Sequence, residues 1–393
     1  MNQSHDKGKE GEEFVKELAE KAYLKYWCYP NPVDIKGDGK EICDFLIIFY
    51  ETAIIISVKN YHLGGNFERF KKKVIEKSTK QLFGAQRKIK RLETLTLKNE
   101  IQGEVVHNIR SIKRFFNITV SVGEDYEDYK FIDSDDQKGI VNIFNRETAN
   151  IIFKELDTIK DLVNYLEARE NLLNTTENAV SNCSEIDLLA HFLMNAREFH
   201  ENLFKDFHKS TFELKGKWEE YLQNKAVIRK KLENENSYFI DKMIKDDVLH
   251  LENGEMLAKE FMAMSRFERR MIANNLFELV EKHKDESDFL ARRYTEFNGV
   301  AFLFVYYPIE RSQKEIDQIL IYAQQLYTYY KNARRLVFLA ACKDLKQWKF
   351  GLYLPTVVSG EGVEYLNNLA TTLGWFQNEI KTEGWVNEYP EEK

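Results

Sequence analysis

Two apolar runs separated by a two-residue break, Ile42 to Tyr50 and Ala53 to Val58, constrain this chain more than any other feature. Runs apolar on both faces belong to strands covered on both sides, so the pair predicts a buried hairpin at the centre of a sheet. Glu51-Thr52 is the expected turn, although it lacks the Asn-Gly signature of a strong hairpin. With that turn Tyr50 faces Ala53, and counting outward sets Asp44 opposite Lys59, with Ser57 on the same face two residues earlier. Directly opposed residues have Cβ atoms roughly 4.5–5.5 Å apart, so a carboxylate and an ammonium would stand side by side at the end of an oily hairpin. The simplest account of that pair is a strand-end ion pair. A slip of one residue would send the two to opposite faces.

The same pair also suits phosphodiester chemistry. A carboxylate can hold Mg²⁺, a hard cation that takes oxygen ligands. A lysine can orient the attacking water and offset charge developing on phosphate. Asp44, followed on the next strand by Ser57-Val58-Lys59, resembles the PD-(D/E)xK (restriction-endonuclease-like) nuclease superfamily, which carries an acid on one core strand and acid-x-Lys on the next. The resemblance spans roughly the first 120 residues. It departs from the pattern twice, with Cys43 in place of the proline and Ser57 in place of the second acid.

A hydroxyl is a weak metal ligand, so the resemblance implies a further carboxylate. Glu68, in the first turn of the following helix, is the preferred donor, with Glu12 contributing from the first helix in its Gly-x-x-x-Glu setting. Glu76 is the alternative, about two turns further and roughly 12 Å along the axis at 1.5 Å per residue. The implied cofactor is Mg²⁺ or Mn²⁺ and the implied activity is nuclease cleavage, with DNA the expected substrate ahead of RNA. The implied setting, by analogy alone, is bacterial restriction or antiviral defence. The alternative function is a catalytically inactive nuclease fold that binds nucleic acid or a partner within a defence complex, Ser57 marking the lost chemistry.

Charge supports a phosphate partner once it is divided along the chain. The whole sequence has a net charge of −7, but residues 1–120 hold 22 Lys and Arg against 16 Asp and Glu, about +6. The following helix, expected from Asn66 to Leu92, concentrates that excess. Lys71, Lys72, Lys73, Lys77 and Lys80 lead ten basic residues opposed only by Glu68 and Glu76. A solvated charged face is the ordinary reading of such a helix. The imbalance beside the candidate pair favours phosphate tracking instead.

The expected order of the first domain is a helix over Lys9 to Tyr26, the hairpin, the basic helix, and strands over Phe115 to Val122 and Gly139 to Asn145. Acidic Glu124 to Asp136 is expected as a loop, and a helix over Glu155 to Arg169 closes the domain. The fold class expected is thus a mixed α/β (α+β) restriction-endonuclease-like core over 1–170, a linker over 171–184, a helical region over 185–293 and a C-terminal α/β domain over 294–393. In that last part strand, helix and two strands echo the order of the first, with Tyr306-Tyr307 where a catalytic lysine would stand. Such a copy would be inert; a sensing or docking domain fits equally well. The C-terminal region could serve a protein partner or a homo-oligomer.

No run of 18 or more apolar residues predicts a membrane span. The amino terminus MNQSHDKGKEGEE lacks a secretory pattern, and the four cysteines are scattered without a CxxC pair. A cytoplasmic protein without a disulfide framework is expected.

Overall fold

The computed structural model describes residues 3–23, 25–62, 64–123, 132–135, 139–175, 184–199, 214–286, 290–345, 347–355, 359–377, 379–381 and 387–390. The chain forms two compact units, Met1–Asn224 and Lys225–Lys393.

The first unit is built on a six-stranded sheet of order β1-β2-β3-β6-β8-β7. Its strands are β1 (Cys28–Pro30), β2 (Phe45–Phe49), β3 (Thr52–Lys59), β6 (Arg114–Ser121), β7 (Ile132–Asp135) and β8 (Gly139–Asn145), with a separate hairpin of β4 (Thr94–Asn99) and β5 (Gly103–Asn108). The expected hairpin is the heart of it: every residue of β2 and β3 is buried. β3 pairs antiparallel with β2 and parallel with β6, a connection that needs a crossover. The crossover carries α2 (Phe67–Phe70), a π-helical turn (Lys71–Glu76) and α3 (Lys77–Lys90). Phe70, Val74, Ile75, Leu82 and Ile89 from this segment join Leu46, Ile48, Ala53 and Ile55 in one core. Val74 and Ile75 are both buried in the π-helical turn, where the wider winding brings consecutive residues inward.

The turn of the hairpin differs from expectation. Phe49 pairs with Thr52 and Phe45 with Ile56, so Tyr50-Glu51 is the loop. Tyr50 takes a left-handed φ of 48° and stays exposed, whereas Thr52 is buried within the strand. The Glu51 carbonyl accepts from the backbone N–H groups of Lys113 and Arg114 at 2.8 and 3.0 Å, tying the turn to the start of β6. That tether, made by residues sixty positions away, fixes a register that local turn propensity does not reveal.

The opposite face is covered by α1 (Gln3–Tyr23), which packs on β3, and by α4 (Arg146–Glu155) and α5 (Ile159–Thr175). Gly11 permits the close crossing of α1. A Cβ there would lie 2.8 Å from Val122 Cγ2 and 3.1 Å from Val58 Cγ1. The neighbouring residue, Glu12, is thereby set beside the end of β3.

The expected linker is not where the units divide. Its residues 176–183 lie outside those described, but α6 (Glu185–Met194) packs on α4 and belongs to the first unit. Arg169 and Glu185, both with fully buried side chains, join by Nε–Oε1 and Nη2–Oε2 contacts of 2.8 Å each. Tyr165 adds a hydroxyl donor to Glu185 at 2.5 Å. Arg169 also donates to Asn142 on β8 at 2.7 Å. The buried Arg169–Glu185 pair thus joins the two sides of 171–184 in one unit, and the compact units divide after Asn224. Of the expected 124–136 loop, residues 132–135 form edge strand β7 and 124–131 lie outside the described residues.

The second unit begins with helices α8 (Lys225–Asn234), α9 (Tyr238–Asp246), α10 (Gly254–Met262) and α11 (Arg266–His283), following α7 (Lys217–Gln223) at the end of the first unit. A four-stranded sheet of order β12-β11-β10-β9 follows. Its strands are β9 (Ala291–Phe297), β10 (Val300–Tyr306), β11 (Leu336–Ala341) and β12 (Trp348–Tyr353), with α12 (Gln313–Tyr330) and α13 (Glu361–Leu373). β10 is antiparallel to β9 and, across α12, parallel to β11. This repeats the β2–β3–helix–β6 pattern. Counted from the turn, where Phe297 pairs with Val300 as Phe49 does with Thr52, the position matching Ser57 is Val305 and that matching Lys59 is Tyr307, on the face packed against the crossover helix. Neither side chain can perform the chemistry read from the first unit.

Candidate active site

Asp44 immediately precedes β2, and the observed register sets it opposite Ser57 rather than Lys59. The two-residue displacement keeps all three side chains on one face. Asp44 Oδ2 accepts from the Val58 backbone N–H at 2.5 Å, from Ser57 Oγ at 3.0 Å and from Lys59 Nζ at 3.4 Å. Lys59 Nζ also donates to Ser57 Oγ at 2.6 Å and to the Val58 carbonyl at 3.1 Å. The Lys59 side chain is 8% exposed and that of Asp44 21%, so the lysine is sunk into the sheet end while the carboxylate reaches its rim. Ser57 is more than a stand-in for an acid. Its hydroxyl bridges the ammonium to the carboxylate.

The basic segment lies over this face. Ser78 on α3 shares a 2.7 Å hydrogen bond with Thr119, the β6 residue paired with Ser57. Beside it Arg69, Lys72, Lys73, Lys77 and Lys80, with Glu76, Gln81 and Tyr61, line a cleft of about 710 Å³. Lys77 Nζ reaches the Tyr61 hydroxyl at 3.4 Å. Four of the five expected lysines share this cleft; Lys71 does not line it, because the π-helical turn carries it to one side.

The acids sort differently from expectation. Glu68 is exposed in the first turn of α2 and does not line the cleft, while Glu76 does. Neither is among the charges that act on the acid the sequence reading passed over, Glu41. Glu41 is bridged to Val33 just ahead of β2. The residue is exposed, but partial desolvation of its carboxyl pushes it up, the neighbouring Asp44 and Glu12 carboxylates push it further, and Lys59 opposes them. Glu41 thus stands within reach of two like charges, Asp44 and Glu12, and of one opposite charge, Lys59. The sequence signal for Glu41 is its place three residues before Asp44, in the loop ahead of β2 rather than on either of the flanking helices. Beside them, burial and the Asp44 and Glu41 charges push the Cys43 thiol well up; it donates to the Phe45 carbonyl at 3.3 Å.

Among the described residues no three His, Cys, Asp or Glu side chains close into a preformed metal cage. The donor set still fits a hard cation that keeps much of its water. Asp44 Oδ1 makes no hydrogen bond to a described residue, and the Asp44 and Glu12 charges that press on Glu41 are of the sign a divalent ion offsets.

Residues 7–112 match the family model of the nuclease-related domain (NERD). That stretch runs from α1 to the end of the β4–β5 hairpin and holds the whole constellation, including Glu12, Glu41, Asp44, Ser57, Lys59 and the basic cleft. A mixed α/β nuclease-like domain therefore forms the amino-terminal part of this chain. No curated protein and no solved structure matches the chain. No helix of the described residues is long and apolar enough to cross a membrane.

Proposed function

We propose that this chain is a Mg²⁺- or Mn²⁺-dependent endonuclease that hydrolyses phosphodiester bonds of DNA, in bacterial restriction or antiviral defence. The reading rests on one observation, the Asp44–Ser57–Lys59 constellation at the end of a buried hairpin within the nuclease-related match. Asp44 would hold the metal together with water, the nearby Glu41 and Glu12 charges supporting it, and when bound the ion polarises the phosphate and lowers the cost of forming a hydroxide nucleophile. Lys59 supplies a fixed positive charge beside the reacting phosphate, already oriented by Ser57 and Asp44, so little reorganisation is needed as charge develops. Lys72, Lys73, Lys77 and Lys80 hold the flanking phosphates.

Glu41→Gln is expected to reduce metal-dependent cleavage by roughly 10–100-fold, while Glu68→Gln leaves it near normal. Cleavage assays at saturating metal check this. Normal activity in Glu41→Gln with loss in Glu68→Gln would restore the helix as the source of the further acid. For the cleft, replacing Lys72, Lys73 and Lys77 by Gln should weaken binding alike on all sequences. The slope of log affinity against log salt should fall by about 0.9 for each duplex phosphate contact removed, while Lys71→Gln changes it little. An unchanged slope in the triple variant would show that the cleft does not hold phosphate.

A second reading has its own support. Asp44 Oδ2 is already engaged by three donors, and Ser57 stands where the superfamily carries an acid. The chain would then bind nucleic acid without cutting it. Salt-sensitive binding that persists without cleavage at any divalent ion concentration distinguishes this case.

A further inference from the structure

The second unit contains a cleft of about 620 Å³ between the end of α12, the end of β12 and the start of α13. Its size falls in the range of roughly 300–1,000 Å³ typical of small-molecule sites. Three tyrosine rings line it, Tyr329, Tyr353 and Tyr365, together with Gln325, Asn332 and Arg334.

The hydrogen bonding around it is lopsided. Polar neighbours outside the cleft are paired: Tyr330 donates to Asn367 Oδ1 at 2.8 Å and Lys331 meets Glu379 at 2.7 Å. Within the cleft, the half-buried Gln325 and Tyr353 and the exposed Asn332, Arg334 and Tyr365 make no side-chain hydrogen bond or ion pair to a described residue, which leaves them to solvent or a ligand. Asn332 takes a left-handed φ of 52°, and the chain is held there by Ala333 N–H donating to the Thr328 carbonyl at 3.0 Å. The amide and the guanidinium two residues on thus sit on a capped helix end rather than on a loose loop.

We propose that this cleft binds a nucleotide, its base among the tyrosines and its phosphate on Arg334. Aromatic faces accept any base by stacking, and amide side chains match the donor and acceptor edges of bases. A guanidinium is the preferred partner for phosphate oxygens. An apolar ligand would strand the two amides and the guanidinium, and inorganic phosphate would leave the three rings uncovered. Since the site lies wholly in the second unit, it is independent of whether the first unit cleaves nucleic acid.

The test is titration calorimetry of the full chain without added metal, using the four ribonucleoside 5′-monophosphates, the matching nucleosides and inorganic phosphate. At least one monophosphate should bind, with its nucleoside about tenfold weaker or more and phosphate alone undetectable. Arg334→Gln should reduce that monophosphate to the nucleoside's affinity. Tyr365→Ala should weaken both by roughly tenfold or more, as loss of a stacking platform does. Both residues are exposed, so thermal unfolding of the variants should be unchanged. The chain with Lys72, Lys73 and Lys77 replaced by Gln should bind as the unmodified chain does. The proposal is overturned if no monophosphate binds at millimolar concentration. It is equally overturned if both second-unit variants bind normally, or if binding is lost only with the lysines of the first-unit cleft.

Discussion

Asp44→Asn is expected to lower metal-dependent cleavage by at least ~10²-fold while the chain remains folded, the size of loss typical of removing a preorganised electrostatic group. The amide keeps an oxygen for the Val58 N–H and the Ser57 hydroxyl but removes the charge that a cation and Lys59 both need. Alanine is the poorer test. Lys59 is almost fully buried, and deleting the carboxylate beside it would leave its ammonium without its ion-pair partner, mixing a folding defect with a catalytic one. Ser57→Ala should also cost activity, since the hydroxyl positions Lys59 at 2.6 Å. Comparing turnover at saturating substrate with circular dichroism of each variant separates chemistry from stability. Normal cleavage by Asp44→Asn would remove this constellation from the mechanism.

Glu185→Ala should destabilise the first unit by about 3–5 kcal/mol, the usual cost of leaving one member of a buried ion pair uncompensated. Arg169 is fully buried, stacks on Phe144 with its guanidinium 5.1 Å from the ring centroid, and would lose its two-contact carboxylate partner while keeping the neutral Asn142. The same polar cluster includes Glu170, whose carboxyl burial pushes up to about 7 against the pull of the Asn142 amide and Arg169. Replacing the pair together, with Arg169→Met and Glu185→Leu, should recover most of the loss, because apolar side chains of similar size need no partner. Urea unfolding followed by tryptophan fluorescence, resolving the transitions of the two units, measures both. A Glu185→Ala chain as stable as the unmodified one would show that α6 is not held to the first unit by this pair.

The buried hairpin was legible because its signal is local: two apolar runs allow no other placement. Its register was not, because the choice between Tyr50-Glu51 and Glu51-Thr52 is made by the Glu51 carbonyl bonding to residues 113 and 114. Asp44, Ser57 and Lys59 nevertheless came together as expected, since a two-residue change of register preserves the face. Glu41 escaped notice for a related reason; its proximity to Asp44 and Glu12 arises from the loop before β2 and from the crossing of α1 over Gly11. Edge strands β1, β4 and β5 carry short or mixed patterns that periodicity does not separate from loop. β9 straddles the expected boundary at 293–294, its first three residues falling in the helical region, although Asn298-Gly299, with left-handed φ values of 52° and 71°, supplies the hairpin signal missing at the first turn. The long-range Arg169–Glu185 pair has no signature in sequence spacing, which is why a polar stretch resembled a domain linker.

The central claim is that the chain itself cuts phosphodiester bonds with a divalent metal. The direct measurement is incubation of the purified chain with supercoiled, linear and single-stranded DNA, and with RNA, across Mg²⁺ and Mn²⁺ concentrations and with chelator. DNA cleavage is expected to rise with metal, to disappear with chelator and to be absent from Asp44→Asn prepared in parallel. Cleavage that survives the chelator or the Asp44→Asn substitution would contradict it, as would intact DNA at every metal concentration.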